Sequence, residues 1–309
     1  MQVSIIIVNY NTKELIKNCI NSIYKYTQDI QYEIIVSDNG STDGSIEMLK
    51  SEFPNVILIE NNANLGFGTA NNRGLKIAKG KYIFYLNSDT VLLNNAVKIF
   101  YDYWENSSDK ENIGALGCNL LDENFNIIHS FENFINAKKL LKDLTLDFLH
   151  ILRLSIFFFL PESFSFTNKK NKKKNMNTYK EFSGEVGYVI GADLFIKNNK
   201  YAFFDEKYVL YFEDADLQLK MKENDLRRLI ILGPKILHLE HKSNKFLKKI
   251  DFFKSFAKIN SMISAIIYAK KNIKNKFLVF YLKFITLLNF CNPFLYPKTK
   301  KYIKTLILI

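Results

Sequence analysis

The 309 residues include only three cysteines, Cys19, Cys118 and Cys291. They are too few and too scattered for a disulfide framework or a zinc cluster, and such sparing use points to a reducing cytoplasmic compartment. No basic stretch or cleavage site accompanies the first apolar run, so 3–8 reads as a strand and not as a secretory signal. No G-x-G-x-x-G follows that strand, which sets aside a dinucleotide-binding oxidoreductase. The Gly- and basic-rich loop expected there of a nucleotidyltransferase, the competing enzyme class with a similar α/β core, is also missing: NYNTKEL stands in its place. A spanning helix wants about 20 predominantly apolar residues. The best stretch, 140–160, is interrupted by Lys142, Asp143, Asp147, His150 and Arg153. Internal repeats are absent.

Hydrophobic residues make up 48% and charged residues 24%, enough apolar material for a large α/β core with insertions. The net charge of +12 is unevenly placed. Residues 235–309 hold 16 Lys, no Arg and only Glu240 and Asp251 as acids, a net of +14; residues 1–234 carry a net of −2. A nucleic-acid binder would spread its charge over one folded face, often with Arg, so no nucleic-acid partner is expected. A purely non-enzymatic basic membrane-binding module would account for the tail but not for the acidic motifs described next.

The first 90 residues alternate between two periodicities. Val3–Val8 is a continuous apolar run of the kind buried on both faces of a parallel sheet. Asn11 followed by Glu14 reads as a helix cap with its reciprocal partner, opening a helix to Tyr26. Strands follow at 33–37, 56–60 and 81–86, with helices between them. Ala70, Gly74 and Ala78 give the helix at 67–78 a small-residue face for close packing on a sheet. Strand–helix repeats of this length predict right-handed crossovers and an open, mostly parallel central sheet flanked by helices. A helix at 94–105 and a strand at 113–120 follow. Residues 168–177 (NKKNKKKNMN) are of low complexity and read as a loop. A helix from Glu213 to 223, strands near 229–232 and 235–239, and a Lys-rich helical stretch over 246–309 complete the reading.

Ligands of open α/β sheets bind at the carboxyl ends of the strands, and there this chain repeatedly places Asn, Asp, Ser and Gly. Strand one ends in Asn9-Tyr10-Asn11, and strand two in Asp38-Asn39-Gly40-Ser41-Thr42-Asp43-Gly44. Strand three ends in 61–68, and strand four in Asn87-Ser88-Asp89. Each cluster alone is turn and cap chemistry; four on one edge are not. The motifs VSIIIVNYN (3–11), SDNGSTDGS (37–45), NLGFGTANNRG (64–74), LNSDT (86–90), GADLFI (191–196) and FDEKYVLYFEDADLQLK (204–220), with the His238 region, resemble glycosyltransferase family 2. The NLGFG…NNRG and EDADL stretches look most like its rhamnosyltransferase-like branch.

The resemblance implies the GT-A nucleotide-diphospho-sugar fold over 1–245. Within it, 1–120 would form a nucleotide-binding half, 121–180 an insertion, and 181–245 an acceptor and base half. Residues 246–309 would be a helical extension meeting a membrane surface or another subunit. By resemblance Asp38 is the nucleoside-recognition carboxylate, with Asn9, Tyr10 and Asn11 beside it. Asn64, Gly66 and Asn71 line the donor at a glycine turn into a helix N-terminus, which favours anions. Asp43 reads as a helix cap, and Arg73 as an exposed helix residue. Asn87-Ser88-Asp89 stands where the family has Asp-x-Asp, with Asn replacing the first Asp; Asp89 would ligate Mg²⁺ or Mn²⁺ and Asn87 would assist. His238 resembles a late metal-ligating His, with His241 as a neighbouring alternative. By the same resemblance Asp214 is the general base of an inverting transfer, with Glu213 on the acceptor side and Asp216 capping or orienting the helix. Gly191-Ala192 approaches the donor sugar through its backbone. The implied reaction moves a sugar from dTDP-rhamnose or a UDP-sugar to a hydroxyl of a glycan or polyprenyl-linked acceptor, on the inner face of the cell membrane.

Overall fold

The computed structural model describes residues 1–159, 179–239, 255–292 and 295–309. The chain divides into two compact units. One comprises Met1–Phe134, Thr178–Val209 and Glu213–Ser243; the other comprises Ile135–Asn177, Leu210–Phe212 and Asn244–Ile309.

In the first unit, β1 (Val3–Asn9), β2 (Tyr32–Asp38), β3 (Ile57–Glu60) and β4 (Tyr82–Asn87) lie parallel, alternating with α1 (Lys13–Tyr26), α2 (Ser45–Glu52) and α3 (Phe67–Leu75). The apolar run of β1 is buried on both faces: Val3, Ile5 and Ile7 join Ile16, Cys19, Ile20 and Ile23 of α1 in one core, and Ile6 joins a second core on the other face. Full burial of an Ile stabilises by roughly 1.5–3 kcal/mol, and Ile5, Ile6 and Ile7 are wholly covered. This run therefore makes β1 an interior strand, paired on both sides by β2 and β4. The small-residue face of α3 is needed where expected, since a Cβ on Gly74 would meet Ile6 Cγ2 at 2.6 Å.

The eight-stranded sheet has the order β3-β2-β1-β4-β10-β6-β11-β8. It continues with β6 (Ile113–Cys118), β8 (Gly184–Glu185), β10 (Asp193–Lys197) and β11 (Arg227–Ile231). Strand β10 enters between β4 and β6, antiparallel to both, while β11 runs parallel to β6. Two small ribbons flank it: β5 (Thr90–Leu92) pairs with β12 (Ile236–His238), and β7 (Phe131–Glu132) with β9 (Tyr188–Val189). The helices α4 (Ala96–Asn106) and α6 (Glu213–Lys222) complete the unit.

The second unit is helical: α5 (Ala137–Phe159), α7 (Phe256–Tyr268), α8 (Lys276–Cys291) and α9 (Tyr296–Leu308). Leu140 and Leu144 of α5 share a core with Ile259, Met262, Leu282 and Phe290. Residues 135–159, expected as an insertion of the catalytic domain, therefore pack with the C-terminal helices, because the apolar positions of α5 find their cover there. The expected boundary at 245/246 and the loop at 168–177 lie outside the described residues.

One local expectation fails. Asn11 does not cap α1: its φ is +54°, Thr12 occupies the cap position, and no side chain of that residue closes the helix. Asn11 Oδ1 instead accepts from Thr42 N at 2.8 Å, while Lys13 N donates to Asp43 Oδ2 at 2.9 Å. A carboxylate from the β2–α2 loop takes the role that sequence spacing assigned to a local pair. Asp43 also accepts from Ser45 N at 3.1 Å, so it serves the starts of both helices.

Candidate active site

Register fixes the edge on which the polar motifs meet. Asn9 pairs with Asp38 and Val8 with Asn87, so β2, β1 and β4 end together. Two strand spacings, about 10 Å, separate the outer pair. Strand β10 runs the other way, with Asp193 opposite Leu86, so Gly191-Ala192 stands at this same edge. Asn87 N donates to Ala192 O at 3.1 Å and ties the two stretches together.

Asp38 is buried and accepts from Gly40 N at 2.9 Å, Ser41 N at 2.8 Å and Asn9 Nδ2 at 2.7 Å. A carboxylate has about four acceptor sites, so one is left beyond those that hold the loop. Asn9 differs from its expected role as a donor contact. Its amide nitrogen serves Asp38 and Ser41 Oγ, and its oxygen accepts from Thr12 Oγ1 at 2.6 Å. Its side chain thus supports Asp38 and the loop. Tyr10 and Asn11 are exposed. Asn39, also buried, donates to Gly66 O at 3.1 Å and joins this loop to the β3–α3 turn.

In that turn Asn64 Oδ1 accepts from Gly66 N at 3.0 Å. Gly66 has φ +87°, and a Cβ there would lie 2.3 Å from Val209 O; only glycine fits. Asn71 is buried and donates to Phe67 O one turn back at 3.1 Å, so its amide serves its own helix. Its neighbour Asn72, which sequence reasoning passed over, clamps the segment ahead of α6. It donates to Phe204 O and accepts from Phe204 N, both at 2.9 Å, and donates to Glu206 Oε1 at 3.1 Å. Arg73 is exposed, as its helical position suggested.

Strand β4 runs through Asn87-Ser88-Asp89 directly into β5, whose antiparallel pairing places His238 opposite Thr90. Leu239 N donates to Asp89 O at 2.9 Å, and His238 Nε2 lies 3.3 Å from Asp89 Oδ1. Two residues 149 positions apart are therefore neighbours. Asp89 keeps a side-chain exposure of 27% against 6% for His238. Carboxylate oxygen and imidazole nitrogen suit a divalent cation. No group of three or more His, Cys, Asp or Glu converges as a metal site among the described residues, so further ligands would be substrate oxygens or water, the usual pattern for Mg²⁺ with phosphates. His241 lies outside the described residues. Ser88 Oγ lies 3.0 Å from Thr12 Oγ1, within hydrogen-bond distance.

Asp214 stands in the first turn of α6. Its carboxylate accepts from Gly191 N at 3.1 Å and Ala215 N at 2.8 Å. Burial dominates and pushes its carboxyl above the ordinary 3.8, against the pull of those N–H groups. The hydrogen bond to Gly191 joins Asp214 to the strand-end edge, and a Cβ on Gly191 would meet the Phe67 ring at 3.2 Å. Glu213 is buried beside Gly68. Asp216 accepts from Tyr208 Oη at 3.2 Å and lies 3.6 Å from Lys220 Nζ. Tyr211 and Phe212, directly before α6, both take left-handed φ values of 68° and 70°; such strain costs of order 1–3 kcal/mol per residue and gathers at functional sites.

Two further supports escaped sequence reasoning. Gln218 is fully buried and exchanges hydrogen bonds with both backbone groups of Val189, at 2.7 and 2.8 Å, while reaching Asp214 O at 3.3 Å. Its only sequence signal is the i+4 spacing from Asp214. Asp193, with no exposed surface, accepts from Cys118 N at 2.7 Å, and burial pushes its carboxyl up to about 7. An acid opening the strand just ahead of its apolar run Leu194–Ile196 was the available clue.

The model of glycosyl transferase family 2 matches residues 4–177, more than half of the chain, and the chain belongs to that family. It is 39% identical over 115 residues to the poly(ribitol-phosphate) beta-glucosyltransferase of Bacillus spizizenii, covering 35% of this chain and 18% of that one. It is 38% identical over 112 residues to the UDP-Glc:alpha-D-GlcNAc-diphosphoundecaprenol beta-1,3-glucosyltransferase WfaP of Escherichia coli, covering 33% and 44%. The matches thus span less than half the length of either relative. In three dimensions the chain is similar to the mannosyltransferase PcManGT of Pyrobaculum calidifontis, solved with GDP-Man and Mn²⁺, at a TM-score of 0.54 and 14% identity over 98% of this chain and 75% of that one. The fold is accordingly of the GT-A type, a mostly parallel central sheet flanked by helices, with further helices at the C-terminal end.

Proposed function

We propose that this transferase moves a sugar, with inversion, from a nucleoside-diphosphate donor to a hydroxyl of a lipid-linked surface-glycan intermediate. The observation that carries the reading is the Gly191 N–H bond to Asp214, because it joins a half-buried carboxylate to the edge where Asp89 and His238 stand together. Asp38 and its loop take the nucleoside, with Tyr10 and Asn11 exposed beside them. Asp89 and His238 would hold Mg²⁺ or Mn²⁺, which would supply positive charge near the leaving diphosphate. Gly191 and Ala192 let the donor sugar come close to the backbone.

Asp214 accepts the proton of the acceptor hydroxyl as that oxygen bonds to the anomeric carbon. The bond from carbon to phosphate oxygen breaks, and its electron pair leaves with the nucleoside diphosphate. One ionised carboxylate suffices, since no covalent sugar–enzyme intermediate is formed. The WfaP relative is named for UDP-Glc and a diphosphoundecaprenol-linked acceptor, which supports a UDP-sugar as donor and a polyprenyl-linked acceptor here, with dTDP-rhamnose as the alternative donor.

The test is turnover of a panel of nucleotide sugars with and without Mn²⁺, followed across pH. Turnover of at least one donor is expected. Asp214 must be ionised to act, and burial raises its value, so the rate falls with decreasing pH at a point above the 3.8 of an ordinary Asp. No turnover of any donor, or an acid limb at the ordinary Asp value, would overturn the reading.

A further inference from the structure

The last helices carry a face that their core does not use. Along α8, Leu278, Leu282, Ile285 and Phe290 turn inward and none is more than 6% exposed. Phe277, Phe280, Phe284 and Leu288 turn outward, at 80%, 68%, 51% and 42% exposure. Steps of three, four and four residues align them along one side of the helix, and the Phe280 and Phe284 rings stack with centroids 6.5 Å apart. A helix at a water-facing surface places polar residues on that side. An outward row of three phenylalanines marks a contact surface.

The charge carried by these same helices selects the occupant. From residue 252 to the end the chain has eleven Lys, no Arg and no acid. Lys276 at the head of α8 and Lys298, Lys300, Lys301 and Lys304 of α9 are all exposed. A second copy of this face would bring like charges together, which disfavours self-association. Among the described residues no helix is long and apolar enough to cross a membrane. We propose that this face docks on an anionic bilayer surface: the phenylalanines of α8 enter the boundary between headgroups and acyl chains, and the lysines meet lipid phosphates. Donor binding and Asp214 take no part in this contact.

The test is co-sedimentation of the full chain with vesicles of phosphatidylcholine, with and without phosphatidylglycerol. Binding should need the anionic lipid and weaken as salt rises. Replacing Phe277, Phe280 and Phe284 together by Ser should weaken it by at least about tenfold. If that variant melts early, a second one with Lys298, Lys300, Lys301 and Lys304 changed to Gln decides. A tenfold loss there supports the contact, and unchanged affinity overturns it. Wild-type protein that stays in the supernatant with anionic vesicles overturns it too, as does a wild-type dimer that the serine variant turns into a monomer.

Discussion

Asp214→Asn should lower the transfer rate by about 10³-fold, within the 10²–10⁴ range of a positioned general base, and leave donor affinity within a few-fold. The reason lies in what Asn keeps. Its oxygen can still accept from one of the two N–H groups that now converge on the carboxylate, Gly191 and Ala215. The volume of the side chain is unchanged, so the donor edge keeps its shape. Only proton acceptance is removed. The acid limb of the rate profile should vanish with it, since no ionisable oxygen remains at that position. Steady-state turnover beside direct donor titration separates the two effects. Equal losses of rate and affinity would instead make Asp214 a structural member of the edge, held by two N–H bonds of which the amide keeps only one.

Asp89→Ala should behave differently. Donor affinity measured in Mn²⁺ should fall by about 100-fold, and the difference between Mn²⁺ and chelator should disappear, because a cation held by Asp89 would supply several kcal/mol of charge stabilisation. Asp89 contributes to the fold chiefly through its backbone oxygen, which accepts from Leu239 N, and truncation leaves that bond intact. Melting should therefore change little. His238, only 6% exposed, loses its carboxylate neighbour in this variant, so His238→Ala should reproduce the loss of metal dependence more weakly. An Asp89→Ala protein that binds donor as well as wild type, with the same response to Mn²⁺, would remove the metal from the account.

Much of the first 120 residues was legible because its signals are local. The run Val3–Val8 can be satisfied only by burial on two faces, and the strand ends announce themselves in Asn, Asp and Gly. What the sequence concealed were partners chosen across distance. The antiparallel entry of β10 between β4 and β6 is set by residues far apart in the chain, and five residues of DLFIK carry no direction. The packing of α5 with the C-terminal helices depends on which apolar stripe finds which. At the site, the sequence shows polar residues at the strand ends, while their partners come only from the fold. Asn9 and Asn71 hold other protein atoms, and the clamps made by Asn72 and Gln218 needed partners 132 and 29 residues away. By contrast the pairing of Asp89 with His238 follows from the β5–β12 ribbon, which no spacing rule foretells and which family resemblance alone suggested.

The central claim is that this edge grips an activated sugar through its diphosphate. Calorimetric titration of UDP- and dTDP-sugars into the wild-type protein, in Mn²⁺ and again in chelator, tests it most directly. Saturable binding of at least one donor in Mn²⁺, weakened by about 100-fold in chelator, is the predicted result. Absence of binding by every donor, or equal affinity in the two buffers, would contradict it.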